Sequence, residues 1–255
     1  MRADTVTDPE VVRGWLSEAS HVVALVGAGI STDSGIPDFR GPKGLWTLNP
    51  KAERMSDITY YVSDPEVRQL AWQSRLEHPA WTAEPNDGHR ALVELERRGQ
   101  MAAIITQNID GLQQAAGSAP ERVIEVHGTV REVMCLSCDY RAPMQDALDR
   151  VEAGEADPHC LICDGLLKSA TVSFGQNLDP LVIGRAEAHA EACDLMLCIG
   201  STLTVYPVAI LPTLASRVGA QVVTINGEPT AYDDQADAVL TGDITRTLRE
   251  LIAKD

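Results

Sequence analysis

Short apolar runs recur along the chain, each closed by a glycine or a polar residue. HVVALVG (21–27), AAIIT (102–106), VIEVH (123–127), DLMLCIG (194–200) and VVTIN (222–226) are nearly continuous rather than alternating. A strand buried on both faces has that pattern, because neither side meets water. Between several of these runs lie stretches with helical spacing of apolar residues: HRALVELERRG (89–99), PLVIGRAEAHAEA (180–192) and AILPTLASRVG (209–219), with ITRTLRELIAK (244–254) closing the chain. That spacing lays one apolar stripe along a helix. Asp8-Pro9 opens a first helix to about Ala19, with Asp8 as N-cap and proline in the first turn. Strands alternating with helices predict an α/β fold built on a doubly wound, parallel, Rossmann-like sheet.

Two regions break the rhythm. Residues 40–80 contain no strand run and begin with Gly, Pro and Asn punctuation, which predicts a loop followed by short helices. Residues 131–167 carry cysteine pairs around a short helix, MQDALDRVEAG (144–154). The expected organisation is a Rossmann-like domain from 1–39, 81–130 and 168–255, a helical and loop segment over 40–80, and a small inserted module over 131–167. SATVSFG (169–175) alternates like an exposed strand, and GSTLTVYPVA (200–209) holds a second extended piece kept open by Pro207. Two such edges beside a crevice suit an extended peptide gripped by strand addition, and equally suit ordinary sheet edges.

Composition narrows the class. The 255 residues are 44% hydrophobic, enough for a folded core. Acidic residues number 37 against 21 basic ones, a formal charge of −16. That excess argues against direct nucleic-acid binding, which needs a basic footprint. It suits a lysine-rich peptide, or simply solubility. The opening MRADTVTDPE lacks the apolar centre of a secretion signal, and LMLCIGSTLTVYPVAILP is interrupted by Gly200 and Pro207. A cytoplasmic protein with no membrane span is expected; oligomeric state is open.

Six cysteines stand at 135, 138, 160, 163, 193 and 198. Cys135/Cys138 and Cys160/Cys163 are two C-x-x-C pairs with 21 residues between them. Each pair presents two thiolates to one tetrahedral ion, so a structural Zn²⁺ is expected, with four sulfurs leaving no position open for water. Redox use of the thiols is the rival. Cys193 and Cys198 belong to the core.

GAGISTDSGIPDFRG (27–41) opens like a dinucleotide turn, but Thr32 stands where a third glycine belongs. Gly27-Ala28-Gly29 still follows a buried strand, so backbone N–H groups can approach a pyrophosphate. Gly27, Thr106, His127, Gly200 and Asn226 each close a predicted strand and would surround one crevice. Asn226 and Glu228 in INGEPT substitute for the missing acidic ribose ligand. In TQNIDG (106–111), Gln107, Asn108 and Asp110 offer donors and acceptors for a ribose or carboxamide, though the same residues make a good turn. His127, beside Gly128, is placed either for general-base work or for a structural role. Histidines 21, 78, 89, 159 and 189 lack such a setting; His159, next to Cys160, is taken as a loop residue.

In order, GAGISTDSGIPDFRG, PNDGHRAL, TQNIDGL, the His127-Gly128 pair, two C-x-x-C pairs, SFG, GSTLTVYP and INGEPT resemble the sirtuin family of NAD-dependent protein lysine deacylases, over residues 20 to 245. The resemblance implies an enzyme that moves an acyl group from lysine to ADP-ribose and releases nicotinamide. Ala28, Asp38, Phe39 and Arg40 would line the NAD pocket, with Phe39 on a mobile lid. Gln107, Asn108 and Asp110 would hold the nicotinamide ribose and carboxamide, and His127 would be the base. Gly200, Ser201, Thr202, Asn226 and Glu228 would hold the adenosine half. The acyl-lysine peptide would lie between an edge carrying Val172, Phe174 and Gly175 and another carrying Val205. Trp72-x-x-Arg75 resembles the Tyr-x-x-Arg pair that reads acidic acyl groups, with a surface salt bridge as the other role for Arg75. Gln113, Gln176 and Ser169-Ala170 depart from residues common in the family. Protein mono-ADP-ribosyl transfer, other acyl chains, and an NAD-sensing module without catalysis are the alternatives.

Overall fold

A computed structural model describes residues 5–38, 44 and 54–253. Six parallel strands form the main sheet: β1 (Val22–Val26), β2 (Met101–Thr106), β3 (Val123–Glu125), β7 (Leu195–Ile199), β8 (Gln221–Asn226) and β9 (Ala238–Thr241). Their order is β3-β2-β1-β7-β8-β9. The order reverses between β1 and β7, as in a doubly wound sheet. Strands β1 and β7 are buried at every position, which accounts for their unbroken apolar runs.

Each face of the sheet has its own core. Val22, Ala24 and Val26 point to a layer with helices α1 (Pro9–Glu18), α4 (Asp87–Arg97) and α9 (Ile244–Ile252). Val23 and Leu25 point the other way, toward α7 (Pro180–Ala190) and α8 (Leu211–Arg217). The helix starts follow capping chemistry. Asp8, Asp179 and Asp243 each accept a hydrogen bond from the first turn of the helix they precede.

A second, antiparallel sheet has the order β5-β4-β6, from β4 (Gly128–Cys135), β5 (Arg141–Pro143) and β6 (Leu167–Thr171). It packs with α6 (Met144–Glu152) around Val133, Met144, Leu148 and Leu167. Trp72, on α3 (Pro65–Leu76), fills this third core. The short α2 (Ile58–Ser63) precedes α3, and α5 (Leu112–Ala116) follows β2. The Arg68–Asp157 ion pair, 2.9 Å long and mostly buried, also ties α3 to the module.

Several segments differ from the sequence expectation. The 169–175 stretch is a buried strand only as far as Thr171; Ser173 to Gln176 form a turn closed by the Gln176 N–H on the Ser173 carbonyl at 3.0 Å. Residues 200–207 form no strand. The chain bends there, with Leu203 at φ 55° and Val205 accepting from the Ala209 N–H at 2.9 Å. Strands β4 and β9 were not expected. β9 is short and pairs on its outer side with Val6 through two backbone hydrogen bonds of 2.9 Å.

At the reversal, Gly27, Gly29 and Gly200 pack main chain on main chain. A Cβ on Gly200 would fall 2.5 Å from the Ile30 nitrogen and 2.8 Å from the Gly29 carbonyl carbon, and Gly200 has φ +64°. We expect Gly200→Ala to destabilise the fold by at least about 2 kcal/mol, combining left-handed strain with overpacking. Urea unfolding monitored by circular dichroism measures this. A variant as stable as the parent would show that the crossing relaxes freely.

Candidate active site

The residues that end β1, β2, β7 and β8 meet at the reversal. After β1 the chain enters a 3-10 turn, Ala28–Ser34, and leaves it through Gly35 at φ +83°. Thr32, in place of the third glycine, donates its hydroxyl to the Gly29 carbonyl at 3.0 Å and stays exposed. The turn is held from outside by Asn86, whose amide donates to the Ile30 carbonyl at 2.7 Å and to Ser34 Oγ at 3.0 Å. Gly27 and Gly29 let Gly200 and Ser201 close directly onto this turn, with the Gly27 and Gly29 N–H groups bonded to the Ile199 and Gly200 carbonyls.

The loop after β2 is fixed residue by residue. The Gln107 N–H continues the ladder onto the Val26 carbonyl, and its side chain donates to Ser201 Oγ at 2.9 Å. Asn108 is buried, its amide donating to the Gly27 carbonyl at 3.1 Å and to Ser31 Oγ at 3.2 Å. Asp110 is buried too, with Oδ1 accepting from the Leu112 N–H and Oδ2 from the Ser31 hydroxyl at 2.8 Å.

His89 completes this network and was missed from sequence. It is fully buried on α4. The Asn86 N–H donates to its Nδ1, so the proton sits on Nε2, which faces Ser31 Oγ at 3.4 Å. Ser31 thus receives from His89 and Asn108 and donates to Asp110. Burial pushes the His89 imidazole down to about 4, with the Asp110 charge opposing and Arg90 assisting. One signal lay in PNDGHRAL, where Asn86 and His89 hold capping-box spacing. Its contact with Ser31 spans 58 residues and no local pattern announces it.

His127 is half-buried at the mouth of the crevice, just past β3. Its Nδ1 lies 3.1 Å from the Gln107 carbonyl. A carbonyl only accepts, so Nδ1 carries the proton and Nε2 keeps its lone pair. Burial lowers its pKa, partly offset by that hydrogen bond. The main chain carrying the ring is fixed against β6 at Gly128, where a Cβ would meet the Ala170 carbonyl at 2.1 Å, and by the Val172 N–H on the His127 carbonyl at 2.8 Å.

The other expected site residues are spread around this centre. Ala28 and Asp38 are half-buried on the turn and its exit; Phe39 and Arg40 lie outside the described residues. Thr202 is exposed, with its hydroxyl 2.9 Å from that of Thr204. Asn226 turns its amide onto the Glu228 carbonyl at 2.7 Å, and Glu228 is exposed. Val172 and Val205 are half-buried, and Phe174 and Gly175 are exposed. The Phe174 N–H and carbonyl are already paired with Ser56 and Ile58. Gln176 caps the Ser173 N–H with Oε1 at 3.0 Å.

Trp72 and Arg75 line a small cavity of about 10 Å³ with Tyr61, Lys168 and Ser169. Arg75 makes no surface salt bridge among the described residues; it donates to Ser169 Oγ at 3.2 Å. Lys168 is buried, and burial together with Arg75 pushes its ammonium down to about 7. Among the described residues, no carboxylate lines this cavity.

The ligand atoms of Cys135, Cys138, Cys160 and Cys163 all lie within 4.8 Å of one another. Four thiols converging this tightly fit a tetrahedral zinc ion. His159 faces away, toward the Asp164 carbonyl at 2.9 Å. Cys193 and Cys198 are buried in the core.

Comparison with known proteins agrees with this geometry. The model of the Sir2 family matches residues 27–207. NAD-dependent protein deacetylase 2 of Streptomyces coelicolor is 49% identical over 91% of this chain and 96% of its own. NAD-dependent protein deacetylase 1 of Bradyrhizobium diazoefficiens is 44% identical over 96% of each. Among solved structures, a Sir2 protein with a deacetylated peptide and 3′-O-acetyl ADP-ribose superposes with a TM-score of 0.87 at 36% identity, over 96% of this chain and 99% of that one. A Sir2 protein with a propionylated peptide gives 0.85 at 35% identity, over 95% and 96%. The Sir2 model over residues 27–207 and relatives of 44–49% identity along nearly the whole length show that the chain belongs to the Sir2 family.

Proposed function

We propose that the chain is an NAD-dependent protein lysine deacylase, with acetyl-lysine as its first substrate, transferring the acyl group to ADP-ribose and releasing nicotinamide. The observation that carries this reading is His127, locked by the Gln107 carbonyl into the tautomer that keeps Nε2 free at the mouth of the crevice. The deacetylase names of its relatives and the acylated peptides bound by its structural neighbours support the same reaction. NAD supplies an electrophilic ribose carbon with a good leaving group. Gln107, Asn108 and Asp110 orient that ribose, and Gly27, Ala28, Gly29, Gly200 and Ser201 receive the phosphates and the adenosine half. Fixing the acyl oxygen against the ribose carbon removes roughly 7–11 kcal/mol of a bimolecular barrier. His127 then accepts a proton from a ribose hydroxyl. The Asn108 and Asp110 side chains need no reorganisation, because Ser31 already holds them.

The acyl preference belongs to the same proposal. Among the described residues, Arg75 and Lys168 meet no carboxylate in their cavity, which favours testing acidic acyl groups beside acetyl. Protein mono-ADP-ribosyl transfer is the competing outcome. A cytoplasmic setting is part of this reading, supported by four cysteines that converge as a metal site rather than as disulfides. No helix among the described residues is long and apolar enough to cross a membrane.

Incubation with NAD and a panel of acyl-lysine peptides, followed by mass spectrometry, is expected to yield free lysine and nicotinamide together. ADP-ribose retained on protein, with no acyl loss from any peptide, would sink the deacylase reading. His127→Ala is expected to leave NAD affinity within about twofold and to cut turnover by roughly 10²–10⁴, the usual worth of a general base. The pH profile carries a sign. Burial lowers the His127 imidazole from its ordinary value of 6.5, against the opposing Gln107 hydrogen bond, so its neutral base form persists to lower pH than in a free imidazole. The acidic limb of kcat/KM should therefore fall below pH 6.5, and a limb above pH 7 would remove His127 as the base. Zinc removal by a chelator is expected to release one equivalent of metal and change the fluorescence of Trp72, which packs in the cysteine module. Unchanged emission after complete metal loss would uncouple the ion from that core.

A further inference from the structure

We infer that Arg131 is a positioning residue that braces the Asp110 loop against the helical segment and so sets how firmly the NAD ribose is held. The inference rests on the assignment of Asp110 to that ribose. Arg131 lies on β4, between the cysteine module and the crevice. Its Nε donates to the Asp110 carbonyl at 3.1 Å and its Nη2 to the Ala80 carbonyl at 2.7 Å. The guanidinium carbon stands 5.2 Å over the Trp81 ring, and the Trp81 indole N–H donates to the Arg75 carbonyl. One planar fork therefore joins β4, the loop after β2 and the 79–81 turn.

The main chain opposite is shaped for this side chain. Gly111 has φ +74°, and a Cβ there would stand 3.2 Å from Arg131 Nε and 3.4 Å from its Cγ. Among the described residues Arg131 forms no ion pair, so its charge is directed at two carbonyls rather than at a carboxylate. Asp110 is consequently held at both ends. Ser31 and the Leu112 N–H take its carboxylate inside the crevice, and Arg131 takes its carbonyl from outside. A lysine keeps the charge but has neither the fork nor the flat stacking face.

The test compares Arg131→Lys and Arg131→Gln with the parent for NAD dissociation constant, kcat/KM for NAD at saturating acetyl-lysine peptide, peptide affinity, zinc content and thermal midpoint. Both variants are expected to weaken NAD binding and lower kcat/KM for NAD by about tenfold, as a small misplacement of a binding group does. Peptide affinity and zinc content should stay within twofold. Full recovery in Arg131→Lys would overturn the inference, because charge alone would then suffice. NAD binding within twofold of the parent in both variants would overturn it as well, as would losses that track only the folded fraction. Absence of acyl-lysine turnover in the parent would instead refute the deacylase reading, while the NAD dissociation constants still decide the role of Arg131.

Discussion

The contact between the main chains of Gly27, Gly29 and Gly200 is the constraint on which the rest of the molecule depends. Here the sheet order reverses, and two loops leave neighbouring strands β1 and β7 in the same small volume. Hydrogen bonds from Gly27 to Ile199 and from Gly29 to Gly200 fasten the loops together. Any side chain at these positions would push them apart. Because they stay together, Ser201 comes within reach of Gln107, and Asn108 within reach of the Gly27 carbonyl. The polar network of the crevice is thus a consequence of three absent side chains.

The legible parts of the fold were those governed by local physics. Strands buried on both faces cannot alternate, so β1, β7 and β8 appear as apolar runs. Helix starts at Asp8, Asp179 and Asp243 follow from a short acceptor satisfying the first turn. The paired cysteines were legible because tetrahedral thiolate chemistry restricts spacing. Strand β4 was not, since GTVREVMC acquires its meaning from β6, more than thirty residues later. The extended piece expected over 200–209 is absent for a different reason. Its residues favour extension, yet Leu203 takes a left-handed conformation and the chain turns into a helix.

The crevice was legible at its strand ends and not in the residues that support them. Gln107, Asn108, Asp110 and His127 stand beside strand ends, where a sheet of this kind binds ligands. Ser31 and His89 act on those residues from inside the core, and only the folded chain brings them together. Trp72 shows the opposite case. Its placement beside Arg75 pointed to an acyl pocket, and the indole also fills the core beside the cysteine module. One helix therefore joins the cysteine module to the cavity that Arg75 shares with Lys168.

The edges of the main sheet have a consequence for the chain in a crowded solution. An open parallel sheet exposes two rows of unpaired amides, a template on which a second copy can polymerise. On one side the last strand, β3, is only three residues long. On the other, Val6 occupies the outer hydrogen-bonding groups beside β9. Among the described residues, the main sheet thus offers a second copy only a three-residue border at β3 and a border partly paired by Val6 beside β9.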